Sequence, residues 1–266
     1  MGVTPANIQT ASSVGSGDFI LLTQPISGGY QTRKASVANI VGGGGSGGTS
    51  ATLDAVIRAE PSLTHYWPMT DAPGSSSAVD VIGGVNASAT SGYAFGCAGV
   101  IPNGMTSFRS SGGGSDGLVI PSAAQPSPSS PFTVEFIVAM NSVAGNSNVW
   151  FSMDGSGNFD VYTNNGSQLV FNAPSGNVHS LNTPMPSFRA VHMMFIYNGT
   201  YTVYLNGLYC GTAGSAPSSW SGNGAVGHYG GAPGDGTPMR FGYLACYNAA
   251  LTDGDAEAHF AATQIF

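Results

Sequence analysis

The residues whose types best suit ligand binding lie in one long loop, residues 213–238. This loop holds Trp220, His228, Tyr229 and Asp235 among glycines, serines and prolines. Aromatic rings beside small polar side chains are surfaces on which sugar rings stack, and loops on a rigid scaffold often carry a domain's function. We therefore predict a carbohydrate or receptor contact at these four residues. The alternative is that the loop packs only on itself or on a neighbouring subunit.

Carboxylates in an arrangement suited to catalysis are not evident. Glycoside hydrolysis needs two carboxyl groups that face each other across a cleft. Glu135 lies in a predicted strand, but the residue two positions further, Ile137, is not an acid. No Gly-x-Ser-x-Gly sequence is placed between a predicted strand and a predicted helix. We predict no enzyme activity, and hydrolysis involving Glu135 is the least favoured alternative.

Calcium is the one cofactor that the sequence leaves open. Asp71, Asp80, Asp116 and Asp235 lie in predicted loops that could converge, and calcium prefers such hard oxygen ligands. The alternative is that each aspartate hydrogen-bonds the backbone of its own turn. The acidic residues at 253–257 open a predicted helix, where the helix dipole alone accounts for them.

The histidines and cysteines show no spacing typical of a zinc or redox site. Cys97, Cys210 and Cys246 are far apart in the chain. Cysteine is among the residue types most often buried, so we expect three buried thiols without disulfides.

Composition excludes several classes of protein. Charged residues make up 7% of the 266 residues, against roughly 25% in an average domain. The net charge is −7 and Lys34 is the only lysine, which excludes nucleic-acid binding by phosphate neutralisation. The chain has no run of 18 apolar residues and no signal-peptide pattern, so we expect no membrane insertion. With 42% apolar and 10% aromatic residues, it can form a core.

The chain divides by composition into three parts. Residues 1–41 contain a predicted strand at 18–24, a turn at 25–30, a second strand at 31–37 and a short helix near 37–41. A hairpin this small buries too little area to fold alone, so it must dock on another protein or trimerise. Residues 42–50 form a glycine-rich flexible linker. Residues 51–266 form the main domain.

Residues 51–266 have the pattern of an all-β domain, in which short apolar runs alternate with Gly, Ser, Asn and Pro. The Asn-Gly pairs at 198–199 and 206–207 predict two-residue hairpin turns, each with two positive φ angles. Short helices are predicted at 51–59 and 252–262. Strands are predicted at 132–140, 149–153, 159–163, 168–171, 189–197, 200–205, 208–210 and 239–247. This pattern predicts a two-sheet antiparallel jelly-roll sandwich.

Three segments resemble the laminin-G-like, or concanavalin-A-like, jelly roll. They are the HYWPMTD run at 65–71 with Val79-Asp80, the hairpin at 191–211, and the closing strand and helix at 240–260 with YNAALT. The resemblance implies that Trp67 and His192 are core residues. It implies a fold and not a function, because this scaffold hosts many activities.

The N-terminal part resembles modules found at the start of bacteriophage tail-fibre, tail-spike and head-fibre proteins. The similarity covers DFILLTQ at 18–24 and GGYQTRKASVANI at 28–40. It implies attachment to other virion proteins and a homotrimer, although no heptads support the trimer. The expected anchoring residues are Asp18, Phe19, Leu21, Gln24, Tyr30 and Lys34.

Together these features predict a non-enzymatic virion protein, a tail or head fibre that is made in the host cytoplasm. Its lectin-like domain would bind a host cell-surface glycan or receptor, and many weak sites on one particle would add avidity. The alternatives are a capsid decoration or structural fibre without a ligand, and a polysaccharide hydrolase of the tail-spike kind.

Overall fold

The computed structural model describes residues 19–26, 29–36, 52–101, 105–112, 116–140, 148–163, 168–173, 177–184, 189–227 and 238–265. The chain divides into two compact units, residues 1–50 and 51–266. The predicted helix near 37–41 and the glycine-rich segment 42–50 lie outside the described residues. Within the described ranges, no helix is long and apolar enough to cross a membrane.

The first unit contains an antiparallel hairpin of β1 (Phe19–Ile26) and β2 (Gly29–Ser36). The predicted hairpin is confirmed, but the predicted turn at 25–30 is wrong. Pro25 pairs with Tyr30 and Ile26 with Gly29, so only residues 27–28 connect the strands. Proline is tolerated here because each strand of a two-stranded ribbon has an unpaired edge.

The second unit is a sandwich of two antiparallel sheets. In chain order the strands are β3 (Leu63–Trp67), β4 (Ser77–Ala78), β5 (Ala87–Ala89), β6 (Tyr93–Cys97), β7 (Ser107–Ser110), β8 (Leu118–Ile120), β9 (Phe132–Met140), β10 (Asn148–Ser152), β11 (Asp160–Thr163), β12 (Gln168–Ala173), β13 (Asn177–Pro184), β14 (Ala190–Tyr197), β15 (Tyr201–Leu205), β16 (Leu208–Ala213), β17 (Gly224–Val226) and β18 (Met239–Tyr247). Sheet I has the order β16-β15-β14-β9-β18-β7-β6, with β3 also paired to β18, and sheet II has the order β13-β12-β11-β10-β17-β8-β5-β4. The predicted jelly-roll sandwich is confirmed.

Strand β9 lies in the interior of sheet I and is buried on both faces. Its alternate residues Val134, Phe136 and Val138 point into the core between the sheets. There the ring of Phe136 packs on the rings of Phe195 and Phe241, with centroid distances of 5.9 and 5.2 Å. The side chains of the other parity point to the outer face of sheet I, which two helices cover.

The helices are α1 (Leu53–Ala59) and α2 (Asp253–Thr263). Thr252 caps α2 because its hydroxyl accepts from the Asp255 N–H, while the Asp255 carboxylate accepts from the Thr252 N–H at 2.7 Å. This capping box accounts for Asp255 without a metal ion.

The two Asn-Gly pairs adopt different turns. Asn206 and Gly207 have φ angles of 50° and 69°, as predicted for a two-residue hairpin turn. The prediction is wrong for Asn198, where only Gly199 has a positive φ and three residues separate the paired Tyr197 and Tyr201. Asn206 is held in its turn because its Oδ1 accepts from the His192 N–H at 2.9 Å.

A buried ionic network joins α2 to sheet I, and Glu135 of β9 is at its centre. Oε1 of Glu135 accepts from His192 Nε2 at 2.8 Å and from the Tyr243 hydroxyl, and Oε2 accepts from the Tyr247 hydroxyl at 2.6 Å. The second oxygen is also 2.9 Å from Nδ1 of His259, a residue of α2. The Glu135 and His192 side chains are fully buried.

The network shifts the pKa values of its members. Burial alone would raise the pKa of Glu135, but hydrogen bonds and positive charge from His192 and His259 hold it well below its usual range. Burial alone would lower the pKa of His259, but hydrogen bonds and negative charge from Glu135 and Glu60 raise it. Glu135 and His259 therefore form a buried ion pair.

We expect Glu135→Gln to destabilise the fold by about 3 kcal/mol or more, because it leaves the buried cationic His259 with only the partly exposed Glu60, 3.4 Å away, as a counter-charge. The contribution of His259 is complete below its ordinary pKa of 6.5 and is lost as pH rises through the raised folded value. The contribution of Glu135 is complete above 4.5 and is lost as pH falls through the lowered folded value.

Denaturant unfolding across pH measures this effect. The difference between wild type and variant should therefore be largest between pH 4.5 and 6.5. Glu257→Gln, an exposed substitution on the same helix, should change stability little at any pH. A Glu135→Gln difference that does not vary with pH would contradict the ion pair.

Candidate functional site

Three loops meet at one end of the sandwich around Trp220. They follow β8 (residues 121–130), join β10 to β11 (residues 153–159) and join β16 to β17 (residues 214–223). The indole N–H of Trp220 donates to the carbonyl oxygen of Pro126 at 2.6 Å, which links the third loop to the first. We call these three loops the Trp220 rim.

The Trp220 ring is half-buried. Its inner side packs edge-on against Phe132 and Phe159, with centroid distances of 6.0 and 6.5 Å. The serines around it in the loop, Ser218, Ser219 and Ser221, are exposed. A rigidly held indole with an accessible part and hydroxyl neighbours is suited to stacking against a sugar ring.

Amide side chains hold the three loops together. Nε2 of Gln125 donates to the carbonyl oxygens of Met153 and Gly222 at 2.6 and 2.9 Å. The Asn223 side-chain oxygen accepts from the Ser122 N–H at 3.0 Å. Two of these contacts join residues about a hundred positions apart in the chain, and the third spans 28 positions, so the rim forms only when the sandwich is complete.

Asp154 is the fully buried centre of the rim. Its Oδ1 accepts from the N–H groups of Ser156 and Asn158 at 3.2 and 3.0 Å. Its Oδ2 accepts from the Asn158 side-chain amide at 2.8 Å and from the Ser221 N–H at 3.2 Å. Amide donors thus surround this carboxylate, which fixes the second loop to the third and is closed to a substrate.

Asp160, at the start of β11, lies in an environment that stabilises a negative charge less well than that of Asp154. It is only 3% exposed, and its Oδ1 has no hydrogen-bond partner. Burial raises the pKa of Asp160 to about 6; the negative charge of Asp154 adds to this, and hydrogen bonds with Ser152 and Asn172 act in the opposite direction. The side chain is therefore neutral in mildly acidic solution.

The candidate metal ligands are engaged in separate hydrogen-bond networks. Asp80 accepts from four backbone N–H groups and lies 2.7 Å from Nδ1 of His65. Asp116 accepts from the hydroxyls of Ser91 and Ser111, and Asp71 accepts from the Val79 N–H at 3.1 Å.

No group of three His, Cys, Asp or Glu residues in the described ranges is arranged to hold a metal ion. The calcium site stays a prediction.

The other predicted residues have these positions. Trp220 lies at the rim, while His228, Tyr229, Asp235 and Asp18 lie outside the described residues. Trp67 and His192 are buried, as the resemblance implied. Cys246 is buried, but Cys97 and Cys210 are only half-buried, so the burial predicted for the thiols holds for one of the three.

Sequence reasoning missed Gln125, Asp154 and Asn223, which assemble the rim. The segment 154–158 has the composition of a turn, and nothing in its sequence shows that its aspartate also binds a loop near residue 221. Such long-range pairing leaves no local signal.

The family model described as the concanavalin A-like lectin/glucanases superfamily matches residues 111–256, more than half of the chain. No curated protein matches. Among solved structures, Trypanosoma rangeli sialidase in complex with sialic acid has a TM-score of 0.61 at 14% identity, over 76% of this chain and 33% of that one. The chain thus spans about a third of the sialidase's length.

Two further structures are separate domains. Domain 4 of an extracellular arabinanase from Geobacillus stearothermophilus, in complex with arabinotriose, has a TM-score of 0.53 at 16% identity, over 74% of this chain and 97% of that one. The binding domain of Paraclostridial mosquitocidal protein 1 has a TM-score of 0.56 at 14% identity, over 75% and 52%. At such identities the likeness establishes the fold alone.

The raised pKa of Asp160 predicts that Asp160→Asn stabilises the fold at neutral pH. Wild-type stability falls as pH rises from 3.8 towards 6, because the folded chain holds the proton more tightly than the unfolded chain. The change in pKa from 3.8 to about 6 corresponds to about 3 kcal/mol.

Thermal unfolding of both proteins across pH provides the measurement. The variant should gain most above pH 6 and little below pH 3.8. Asp154→Asn is the matched control and should destabilise the fold, because it disrupts a carboxylate that accepts four hydrogen bonds. Equal stability of wild type and Asp160→Asn at pH 8 would overturn this account of Asp160.

Proposed function

The chain belongs to the concanavalin A-like lectin/glucanase superfamily, and from this premise we propose that residues 51–266 are a non-catalytic carbohydrate-binding module of a phage fibre. The observation that carries the proposal is the half-buried indole of Trp220, held by a hydrogen bond to Pro126 on a rim of polar loops. Its ligand is a glycan or glycosylated receptor on the host surface. The arabinotriose bound to the arabinanase domain of similar fold supports a sugar ligand.

The positions of the buried acids favour binding over hydrolysis. Glu135 is the acid that the hydrolysis alternative would use. It is fully buried beneath α2, and both of its carboxylate oxygens are hydrogen-bonded. Asp154 at the rim is also fully buried. A glycosidase needs two carboxyl groups that reach the glycosidic bond, and neither of these can do so.

A polysaccharide hydrolase is the second candidate, and the sialidase structures favour it. That similarity extends over only a third of the sialidase chain. Incubating the chain with a glycan that it binds and analysing for released sugars separates the two candidates. Release that persists in Glu135→Gln would favour a hydrolase whose acids lie elsewhere.

Trp220→Ala should weaken glycan binding about tenfold or more, since a lost aromatic stack contributes roughly 1.5 kcal/mol. Glycan arrays probed with the full chain identify the ligand, and calorimetry then gives the affinities. Trp220→Phe keeps a stacking ring and should lose less. Thermal unfolding must show that both variants fold, because Trp220 also packs on the core. Unchanged affinity in a folded Trp220→Ala variant would remove the rim from the proposal.

The same proposal assigns residues 1–41 to attachment on the virion, as a trimer, with Leu21 and Lys34 among the contact residues. In the hairpin register Leu21 lies opposite Lys34. Leu21→Asp therefore sets an opposite-charge pair across the strands, which favours the hairpin while removing an apolar contact residue.

We expect Leu21→Asp to reduce incorporation into phage particles severalfold, while Thr23→Ser on the same strand leaves it unchanged. The measurement is the amount of chain on purified particles, by quantitative immunoblot. Circular dichroism and the oligomeric state of the free variant show whether it is intact. Normal incorporation of Leu21→Asp would contradict the assigned anchoring surface.

A further inference from the structure

Tyr209 is an exposed aromatic residue on a regular strand. It is 51% exposed, more than the exposed aliphatic residues Val79, Val81 and Ile82. It lies on β16, directly opposite Tyr204 of β15 in the antiparallel register. A ring held on a paired strand presents a fixed apolar surface to solvent, against which the apolar face of a sugar ring can pack.

Tyr204 orients both Tyr209 and an acid of α2. The two tyrosine rings meet nearly edge to face, with a centroid distance of 6.1 Å and an angle of 68°. The hydroxyl of Tyr204, which is 3% exposed, donates to Oδ1 of Asp253. The exposed ring of Tyr209 and the Asp253 carboxylate therefore flank the same buried phenol.

Glu257 adds a second carboxylate to this surface. It lies one helical turn after Asp253 on α2, and both side chains are exposed. Burial is the largest cause that raises the pKa of Tyr204. The hydrogen bond and the charge of Asp253 raise it further, and Tyr209 and Glu257 add smaller amounts. All three groups thus lie within electrostatic reach of its hydroxyl. No ion pair joins either acid to a basic residue in the described ranges.

We propose that Tyr209, Asp253 and Glu257 form a second sugar-contact surface on the outer face of sheet I. One face of a sugar ring packs on the Tyr209 ring, and its hydroxyls donate to the two carboxylates. Ionised carboxylates only accept hydrogen bonds, which matches the donors of a neutral sugar. This surface rests on the proposed carbohydrate-binding function and assigns it a second site.

The same charges define which sugars are excluded. Two carboxylates without a basic partner repel an acidic sugar such as sialic acid, because like charges brought together at a contact surface weaken binding. The surface should therefore select neutral glycans.

The second surface is separate from the Trp220 rim. Tyr201, whose ring contacts Phe132 beneath Trp220, starts β15, and Tyr204 lies three residues further along it. At the usual strand rise this places Tyr201 and Tyr204 about 10 Å apart along the strand. Tyr201 belongs to the core between the sheets and Tyr204 to the outer cluster, so the sites also use different faces. One module would then offer two weak contacts to a surface glycan.

The test uses the full chain with isotope-labelled tyrosine and tryptophan rings. Three probes are titrated while the ring resonances of Tyr209 and Trp220 are followed by NMR: arabinotriose and chitotriose as neutral sugars, and sialyllactose as the acidic one. The variants are Tyr209→Ala and Glu257→Gln, and Tyr162→Ala on β11 is the control for loss of a half-buried tyrosine elsewhere.

We expect a neutral probe to move the Tyr209 resonances saturably, and sialyllactose to leave them unmoved. At this site Tyr209→Ala should lower the affinity about tenfold, as the loss of one stacking contact predicts. Glu257→Gln should lower it severalfold, and Tyr162→Ala should not change it.

Two results would overturn the second surface: Tyr209 resonances that no neutral probe moves, or an affinity at Tyr209 unchanged by Glu257→Gln. If the probes move Trp220 alone, the proposed function stands and the second surface fails. If they move Tyr209 alone, the second surface stands and the Trp220 rim fails.

Discussion

The carboxylate of Glu135 lies where water cannot reach it, and the arrangement of sheet I with its two helices depends on satisfying that charge. An isolated carboxylate in this position would cost several kcal/mol, which the native stability of a domain cannot absorb. Histidine and tyrosine donors from β14, β18 and α2 close around it. The closing helix is therefore specified by a polar network as well as by apolar packing, and any relative sliding of these elements would leave charge unpaired.

The same use of acids recurs at the Trp220 rim. In a sequence with only 13 acidic residues, Glu135, Asp80 and Asp154 each hold backbone or side-chain donors from separate segments. Their oxygens are occupied in positions that exclude solvent. These carboxylates act as cross-links between loops and sheets.

Rigidity is the consequence that connects the fold to the proposed adhesion. A weak sugar contact gains most from a surface already in its bound geometry, because little side-chain freedom is then lost on binding. Trp220 is held by Pro126 and the core, and Tyr209 is held by Tyr204. Both rings are therefore fixed by their neighbours, which limits the side-chain freedom that the proposed sugar contacts would lose on binding.

Local sequence determined long strands such as β9 and β18, the hairpin at Asn206 and the cap of α2, since alternation, turn dipeptides and capping residues act over a few positions. It did not show β17, which lies inside the predicted loop 213–238. It could not determine the turn at Asn198, which shares the Asn-Gly pair with Asn206 but lacks the side-chain bond to His192 that holds the latter. It could not show that Glu135 is enclosed by histidines 57 and 124 positions away, or that Gln125 joins a loop 97 positions further on. Only the packed sandwich decides these contacts, because burial, and with it the charge state and accessibility of each acid and ring, depends on residues distant in the chain.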